Sequence, residues 1–584
     1  MGIPIMKSAL TCSPKLNRTQ LGEAWTNINW KQCQRYVDRL QRSISVATNY
    51  FNWKQVKKLR KILYNSEAYN LICTIKLTDD NQGKKTAGVD KIKSLTPAQR
   101  YDAVLKMKDG IERHWKPVRQ VEIPKKNGKT RTLGIPTIED RIYQAKLKGI
   151  IEPSYETIAE TNSYGFRPMR STKDAIGQIF IALVKKKDAW ILEGDLKGFF
   201  DHIKTPAIID NTVIKDDNEI RNTINNLVKS GAVTVKKVLI ETDKGTPQGG
   251  VVIPLLANIA FNGMETMIEE WAWNNRKRIG QRVRKVCPVQ TIVYADDFVV
   301  IAKEEWIVTE LKDVIEKWCK EKMGVELSTE KTRITNIFDG FDFLGCNIRK
   351  YQINSTTSKT IIKPSKDSIK SIKSKIKEKI KSSGGLTQGQ LIGILNPIIR
   401  GWANYHNAIV SKKIFSNIDN YIVETLMNWA KKRHNNKGKT WIKKKYWHTR
   451  SNRNWVFKTD QCSLIKMSDT KIIRHVKVKG RHHAYDGDVE YWFKRRMTKS
   501  KRTRKETWLV KQKLKCNWCH HTFKHDSLIE LDHIVPKCCG GDEQKSNLQV
   551  LHRHCHDTKT KNDGTYDKKM HKSKVNVLKG SNWF

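Results

Sequence analysis

The stretch "TIVYADDFVVIA", residues 291–302, constrains the fold of this chain more than any other. Two runs rich in Ile and Val read as adjacent strands. Between them stand two neighbouring carboxylates, Asp296 and Asp297. Like charges this close repel unless something positive compensates them, so the hairpin tip reads as a binding place. A second stretch, "WILEGDLKGFFDHI", carries a strand over Trp190–Glu193 that delivers Asp195 at its end. If that strand lies beside the hairpin, Asp195 meets Asp296 and Asp297. Three gathered carboxylates are tolerable only around cations. Oxygen ligands suit Mg²⁺, and two such ions about 3.5–4 Å apart can clamp an in-line phosphoryl transfer. One would activate a 3′-hydroxyl, the other steady a departing pyrophosphate.

The partner follows from charge. The chain holds 110 Lys plus Arg against 59 Asp plus Glu, a formal +51 that runs from end to end. Each Lys or Arg that neutralises a phosphate releases a counterion, so a polyanion is the natural partner. An anionic membrane would also attract such charge. The longest apolar run, "VVIPLLANIAF", is too short to span one and is interrupted by Pro254 and Asn258. The first residues show no secretory pattern, and Met6 stands where a myristoylation motif wants Ser or Thr. Glu23 is the first acidic residue, which leaves a faint transit-peptide character. The expected location is the bacterial cytoplasm or an organelle, without secretion.

A length of 584 residues suggests three to four domains. Residues 1–80 read as a basic helical extension, with Val37, Leu40, Ile44 and Ala47 on one face. Over 81–360, strand-like runs alternate with helical segments and Gly/Pro punctuation, an α+β pattern. Residues 361–450 are helical. There Ile369, Ile372, Ile376 and Ile380 form one stripe on a Lys-rich helix that Gly384 and Gly385 end. Residues 451–505 are rich in Trp, Tyr and Arg and finish in "KRRMTKSKRTRK", a composition usual for a solvated linker and here read as a DNA-binding region. Residues 506–584 hold five of the 12 Cys, a sign of metal binding in a reducing compartment. Cys516-x₂-Cys519 paired with His552-x₂-Cys555 offers four ligands for a closed tetrahedral Zn²⁺. A CxxC alone could be a redox pair, and Cys538 with Cys539 are alternative ligands.

In order along the chain come "TAGVD", "IPKKNGKTRTLGIPTIEDRIYQ", "SYGFRPMRSTKDA", "GDLKGFFD", "GTPQGGVVIPLLANI", "YADD", "LSTEKTRI" and "GFDFLGCNIRK". This set resembles the group II intron-encoded proteins, which are reverse transcriptases with maturase and endonuclease regions. The resemblance implies a multidomain α+β fold. It would comprise a right-hand polymerase with fingers and an antiparallel palm over 81–360, a helical thumb or maturase domain, and a small zinc-containing ββα-metal nuclease. It implies that Asp195, Asp296 and Asp297 hold two Mg²⁺ ions, and that Lys125 and Arg131 hold the incoming triphosphate. Phe200 would exclude a ribonucleotide's 2′-hydroxyl, or be a plain core aromatic. Gln248 would line the nucleotide pocket, with Gly249 and Gly250 permitting close backbone approach. Lys331 would be the acid for the departing pyrophosphate, or a surface lysine. "GFDFLG" resembles the primer grip, and Ile253 stands where relatives usually carry Ser.

In "LNPIIRGWANYHNAIV", similar to the family's thumb, periodicity makes Ile398, Trp402 and Tyr405 a helix core and leaves Arg400 to contact RNA. The C-terminal "DHIVP…NLQVL…CH" resembles the HNH nucleases. On that likeness His533 is the general base, Asp532 and His556 hold one divalent ion, and Asn547 orients the base or completes the site. A module reduced to a structural zinc knob is the plainer alternative. The function implied joins three activities: RNA-directed DNA polymerase, splicing maturase for a group II intron RNA, and endonuclease nicking a target DNA that then primes copying from dNTPs. The rivals are a stand-alone defence reverse transcriptase and a splicing factor that binds RNA without catalysis.

Overall fold

A computed structural model of the chain describes residues 17–80, 86–107, 111, 113–124, 130–184, 186, 188–233, 239–240, 249–280, 287–355, 357–450, 453–496, 504–523, 527–563 and 565. It begins with four helices, Arg18–Thr26, Trp30–Asn49, Trp53–Tyr64 and Glu67–Ile75. Each starts where Asn17, Asn29, Asn52 or Ser66 accepts a backbone N–H of the first turn, satisfying a donor the helix itself leaves open. The face carrying Val37, Leu40, Ile44 and Ala47 is buried. It packs on the helix Ile138–Ile158, to which Ser45 and Thr48 hydrogen-bond through Thr157 and Ser154. Ile142, Leu147 and Ile150 then join it to the palm in one hydrophobic core.

The fingers sheet pairs Val118–Pro124 antiparallel with Thr130–Ile135 and parallel with Ala232–Val233. The palm sheet runs, from one edge to the other, Gln290–Tyr294, Asp297–Ala302, Trp190–Asp195 and Arg333–Asn336, all antiparallel. Its two hairpin strands read as nearly continuous apolar runs because both faces are covered, whereas the edge strand Arg333–Asn336 is polar and more exposed. Leu192 and Val300 pack toward Ile307, Leu311 and Ile315 of the helix Glu305–Met323. Ile191, Val299 and Ile301 pack toward Ala175, Ile176 and Ile179 of the helix Thr172–Val184.

Three further strands, Phe341–Phe343, Cys346–Gln352 and Ser358–Pro364, form a separate sheet. The change of composition near 361 therefore falls inside a strand, and the first thumb helix starts at Lys366, capped by Ser365. The thumb adds helices Gln388–His406, Lys412–Arg433 and Lys439–Tyr446. Ile372, Ile376 and Ile380 are buried in its core, with Ile369 at the margin. The helix Gln388–His406 corrects the sequence reading: its buried stripe is Leu391, Leu395, Ile399 and Ala403. Ile398 and Trp402 pack at the edge of that stripe. Tyr405 is 39 % exposed and donates through its hydroxyl to the Leu344 carbonyl. An overall 3.6-residue period cannot say which of two neighbouring apolar stripes faces inward.

Residues 471–496 are a strap rather than a solvated linker. Val478 N and Arg495 Nη2 both donate to Asp174 Oδ1, at 2.9 and 2.7 Å, and His475 Nε2 lies 3.1 Å from it. Tyr485 donates to Glu152 Oε2 at 2.7 Å. Most of the basic run after Arg496 lies outside the described residues. The C-terminal module pairs Ile529–His533 antiparallel with Leu548–His552, followed by the helix Arg553–Asn562, a ββα unit. It rests against the N-terminal helices, with His521 Nε2 2.8 Å from Asp38 Oδ2 and His554 beside Trp30.

Candidate functional site

The palm register places Asp195 directly opposite Asp297 on the neighbouring strand. Tyr294 pairs with Asp297, so Ala295 and Asp296 make a two-residue turn. Ala295 holds φ +59°, a left-handed backbone uncommon for a residue with a Cβ. Gly165 lets its loop press on that turn: a Cβ there would lie 2.2 Å from the Ala295 nitrogen. Burial pushes the Asp296 carboxyl up, reinforced by Asp195 and opposed by Lys331 and Arg131. Burial, then Asp296 and Asp195, lift Asp297 further, to about 7. A site that penalises its own negative charges in this way fits a cation. The three aspartates are nevertheless a loose group. Among the described residues, only the Cys/His set below has three or more such ligand atoms mutually within 4.8 Å.

Lys331 lies on the loop after Leu327, which is held to the palm by the Leu196–Leu327 bridge and by Ser328 N donating to the Asp195 carbonyl at 2.8 Å. Its ammonium donates to Asp195 Oδ2 at 2.8 Å. Partial burial alone would lower its pKa; the hydrogen bond and charge of Asp195, then Asp297 and Asp296, reverse this and raise it. Phe200 is buried beside Phe199 and Phe166, both edge-on, with centroids 5.4 and 6.1 Å away. Arg131 stands exposed on the fingers strand Thr130–Ile135. Lys125 and Gln248 lie outside the described residues.

Gly249, at φ +121°, approaches the fingers so closely that a Cβ would sit 2.2 Å from the Gly134 carbonyl oxygen. Gln144, the last residue of the motif "IPKKNGKTRTLGIPTIEDRIYQ" and without an assigned role there, accepts from Val251 N at 2.7 Å. A Cβ on Gly250 would lie 2.6 Å from the same Gln144 oxygen. The glycine pair thus serves close packing against the fingers. Ile253 is fully buried at the start of the next helix.

In the C-terminal module the ligand atoms of Cys516, Cys519, His552 and Cys555 converge. Their mutual hydrogen bonds drive Cys516 well down and Cys555 well up. Burial would lower His552, yet the Cys516 and Cys519 thiols raise it to about 9. This soft, closed set fits Zn²⁺. Cys538 and Cys539 lie apart from it, and His554 stacks on His552 with ring planes 11° apart.

His533 ends the first strand of the ββα unit. Its Nε2 is buried without a hydrogen-bond partner, 4.0 Å from Glu543 Oε1. His556 Nε2 lies 3.6 Å from Asp532 Oδ1, a spacing open to one shared ion. The Asn547 side chain is engaged by its own loop. Its amide donates to the Val535 and Asp542 carbonyls and its Oδ1 accepts from Val535 N. These bonds brace the turn that follows His533.

A palm with paired aspartates between fingers and a helical thumb is the architecture of a template-copying polymerase, here followed by a ββα metal module. Four families match in order: the N-terminal domain of reverse transcriptase over 25–107, reverse transcriptase (RNA-dependent DNA polymerase) over 123–348, the group II intron maturase-specific domain over 369–447, and HNH endonuclease over 516–562. The chain belongs to the group II intron-encoded reverse transcriptases. It is 33% identical over 339 residues to protein YkfC of Escherichia coli K12, covering 53% of this chain and 87% of that protein. To the group II intron-encoded protein LtrA of Lactococcus lactis it is 31% identical over 326 residues, 46% of this chain and about half (53%) of LtrA. Telomerase from Candida albicans aligns at 12% identity over 58% of this chain and 66% of its own, at a TM-score of 0.34, too loosely to carry an argument. The domains present are those of an RNA-directed DNA polymerase and a nuclease, joined by a maturase domain that implies intron RNA as a partner. Among the described residues, no helix is long and apolar enough to cross a membrane.

Proposed function

We propose that the protein binds its intron RNA, nicks a target DNA strand, and extends the exposed 3′-hydroxyl by copying the RNA from dNTPs. The observation that carries this reading is the palm register that sets Asp195 against Asp297, with Asp296 at the turn beside them. Asp195, Asp296 and Asp297 would hold two Mg²⁺ ions, which supply charge neutralisation to the entering hydroxyl and the departing pyrophosphate. On this reading Lys331 would give a proton to the pyrophosphate, Arg131 and Lys125 would grip the triphosphate as phosphate forks and charges do, Gln248 would line the nucleotide pocket, and Phe200 would crowd the sugar. In the nuclease, His533 would take a proton from water while Asp532 and His556 hold one divalent ion on the phosphate. Cys516, Cys519, His552 and Cys555 would keep a structural Zn²⁺. An RNA-binding splicing factor without catalysis would have no use for this many desolvated carboxylates. Asp296→Ala should abolish cDNA synthesis and leave intron RNA binding nearly unchanged. Undiminished synthesis would overturn the polymerase reading. His533→Ala should remove nicking while extension of a supplied primer continues.

A further inference from the structure

Asp532 does not meet the nuclease cleft with both its oxygens. Gln549 Nε2 donates to Oδ2 at 2.9 Å, and the Lys559 ammonium lies 3.2 Å from the same atom. Gln549 and Lys559 are each only 6 % exposed. Lys559 is itself fixed, donating to the His533 carbonyl at 2.9 Å and to Asp563 Oδ2 at 2.8 Å. The remaining oxygen, Oδ1, faces His556. The Gln549 amide cannot usefully turn over, because its Oε1 accepts from Asn517 Nδ2 at 3.1 Å. Turned, it would set N–H against N–H and oxygen against carboxylate. Asn517 follows Cys516 on the loop of the Cys/His set, so a chain of hydrogen bonds runs from that set to Asp532.

We propose that Gln549 and Lys559 are positioning residues of the nuclease: they engage one oxygen of Asp532 so that the other alone, with His556, meets a divalent cation, and Asn517 ties this arrangement to the zinc loop. The inference rests on reading Asp532 and His556 as the nuclease ion seat. A carboxylate held by one oxygen presents a single, directed ligand, leaving the ion's other positions to phosphate oxygens and water. Partners in this outer position commonly govern metal affinity about 10–100-fold. Lys559 adds a discriminating feature. As a mere charge beside the seat it would repel a cation, whereas as a brace it favours binding.

The test uses the full-length, zinc-loaded chain with the palm seat disabled by Asp296→Asn and Asp297→Asn, and Mn²⁺ alone as the probe, followed by electron paramagnetic resonance. One site should remain in that background and vanish with His556→Ala. Gln549→Leu should weaken it about tenfold, and Asn517→Ala, at an exposed position, should weaken it less, both with unchanged zinc content. Lys559→Met should weaken it too. If His556→Ala leaves Mn²⁺ binding intact, the seat itself is misread and the inference falls with it. If His556→Ala removes binding but Gln549→Leu and Asn517→Ala bind as the parent does, the seat stands and the positioning role is wrong. Tighter binding by Lys559→Met would reduce that residue to a charge, and loss of zinc from both Gln549→Leu and Asn517→Ala would mean a folding defect; either result overturns the proposal.

Discussion

Burial and two neighbouring carboxylates lift Asp297 from the usual range near 4 to about 7. Between those values the folded chain without metal keeps a proton that the unfolded chain has released, so its stability declines as pH rises through that window. A bound cation reverses the balance, because it requires the ionised form. In EDTA, Asp297→Asn should therefore melt above the parent at pH 8, with the gap closing toward pH 5, while Mg²⁺ should raise the parent's midpoint more at pH 8 than at pH 6. Equal melting of both proteins across the range would mean that Asp297 is not desolvated as described. Phe200 answers to two demands as well. Its ring is 8 % exposed against Phe166 and Phe199. Phe200→Ala should admit ribonucleotides and also lower stability by about 3–5 kcal/mol. Comparing ribonucleotide with deoxynucleotide incorporation, alongside the melting midpoint, separates the two effects.

Where the thumb meets the palm, the helix Gln388–His406 ends on a buried imidazole. His406 is 1 % exposed, bonds Ser368 Oγ through Nε2, and leaves Nδ1 without a partner. Burial, helped by the Lys173 charge, lowers it to about 4 from an ordinary 6.5. The fold thus demands the neutral ring. The stability this contributes is intact above about pH 6.5 and falls as pH drops toward 4, by ~3 kcal/mol in all. His406→Phe should lose less stability than the parent between pH 7 and 5 in thermal melts. The strap is the second such junction. Asp174 is fully buried; burial would raise it, but His475 and Arg495 hold it well below the carboxylate range. Asp174→Ala leaves the largely buried Arg495 guanidinium without its carboxylate, at a cost of about 3–5 kcal/mol. Trypsin should then cut within 471–496 faster than in the parent, which fragment masses would reveal. These junctions mark what the sequence could not disclose. The helical face of Val37 to Ala47, the YADD hairpin and the Cys/His spacing are written in local periods and intervals. The strap, Gln144 with Val251, and Gln549 with Asp532 join residues about 17 to more than 300 positions apart through isolated polar contacts, which leave no period behind.

Over the whole molecule, charge and metal act on separate parts. A formal +51 distributed along the chain predicts that RNA affinity falls about 10³-fold between 50 and 200 mM salt if six or more phosphates are neutralised. Filter binding across that range would reveal a flat response if shape alone held the RNA. The exposed Lys375, Lys377, Lys379 and Lys381 of the first thumb helix are among the cations available for this. The C-terminal module, with its Cys/His set, is different in kind. Its buried core is Cys516, Cys519, Phe523, Val550, Leu551 and Cys555, so half of it consists of candidate ligands. So small a core cannot offset the entropy of ordering the segment without its metal. The N-terminal helices it touches through His521 and Trp30 draw their own stability elsewhere, since Val37, Leu40 and Ile44 share the large core of the palm. Stripping zinc should consequently unfold the ββα unit alone. Nicking should disappear, a supplied primer should still be extended, and calorimetry should show an early transition separated from that of the polymerase. One shared transition, lost with the metal, would mean that the contacts of His521 with Asp38 and of His554 with Trp30 couple the two cores far more strongly than such single side-chain contacts do elsewhere.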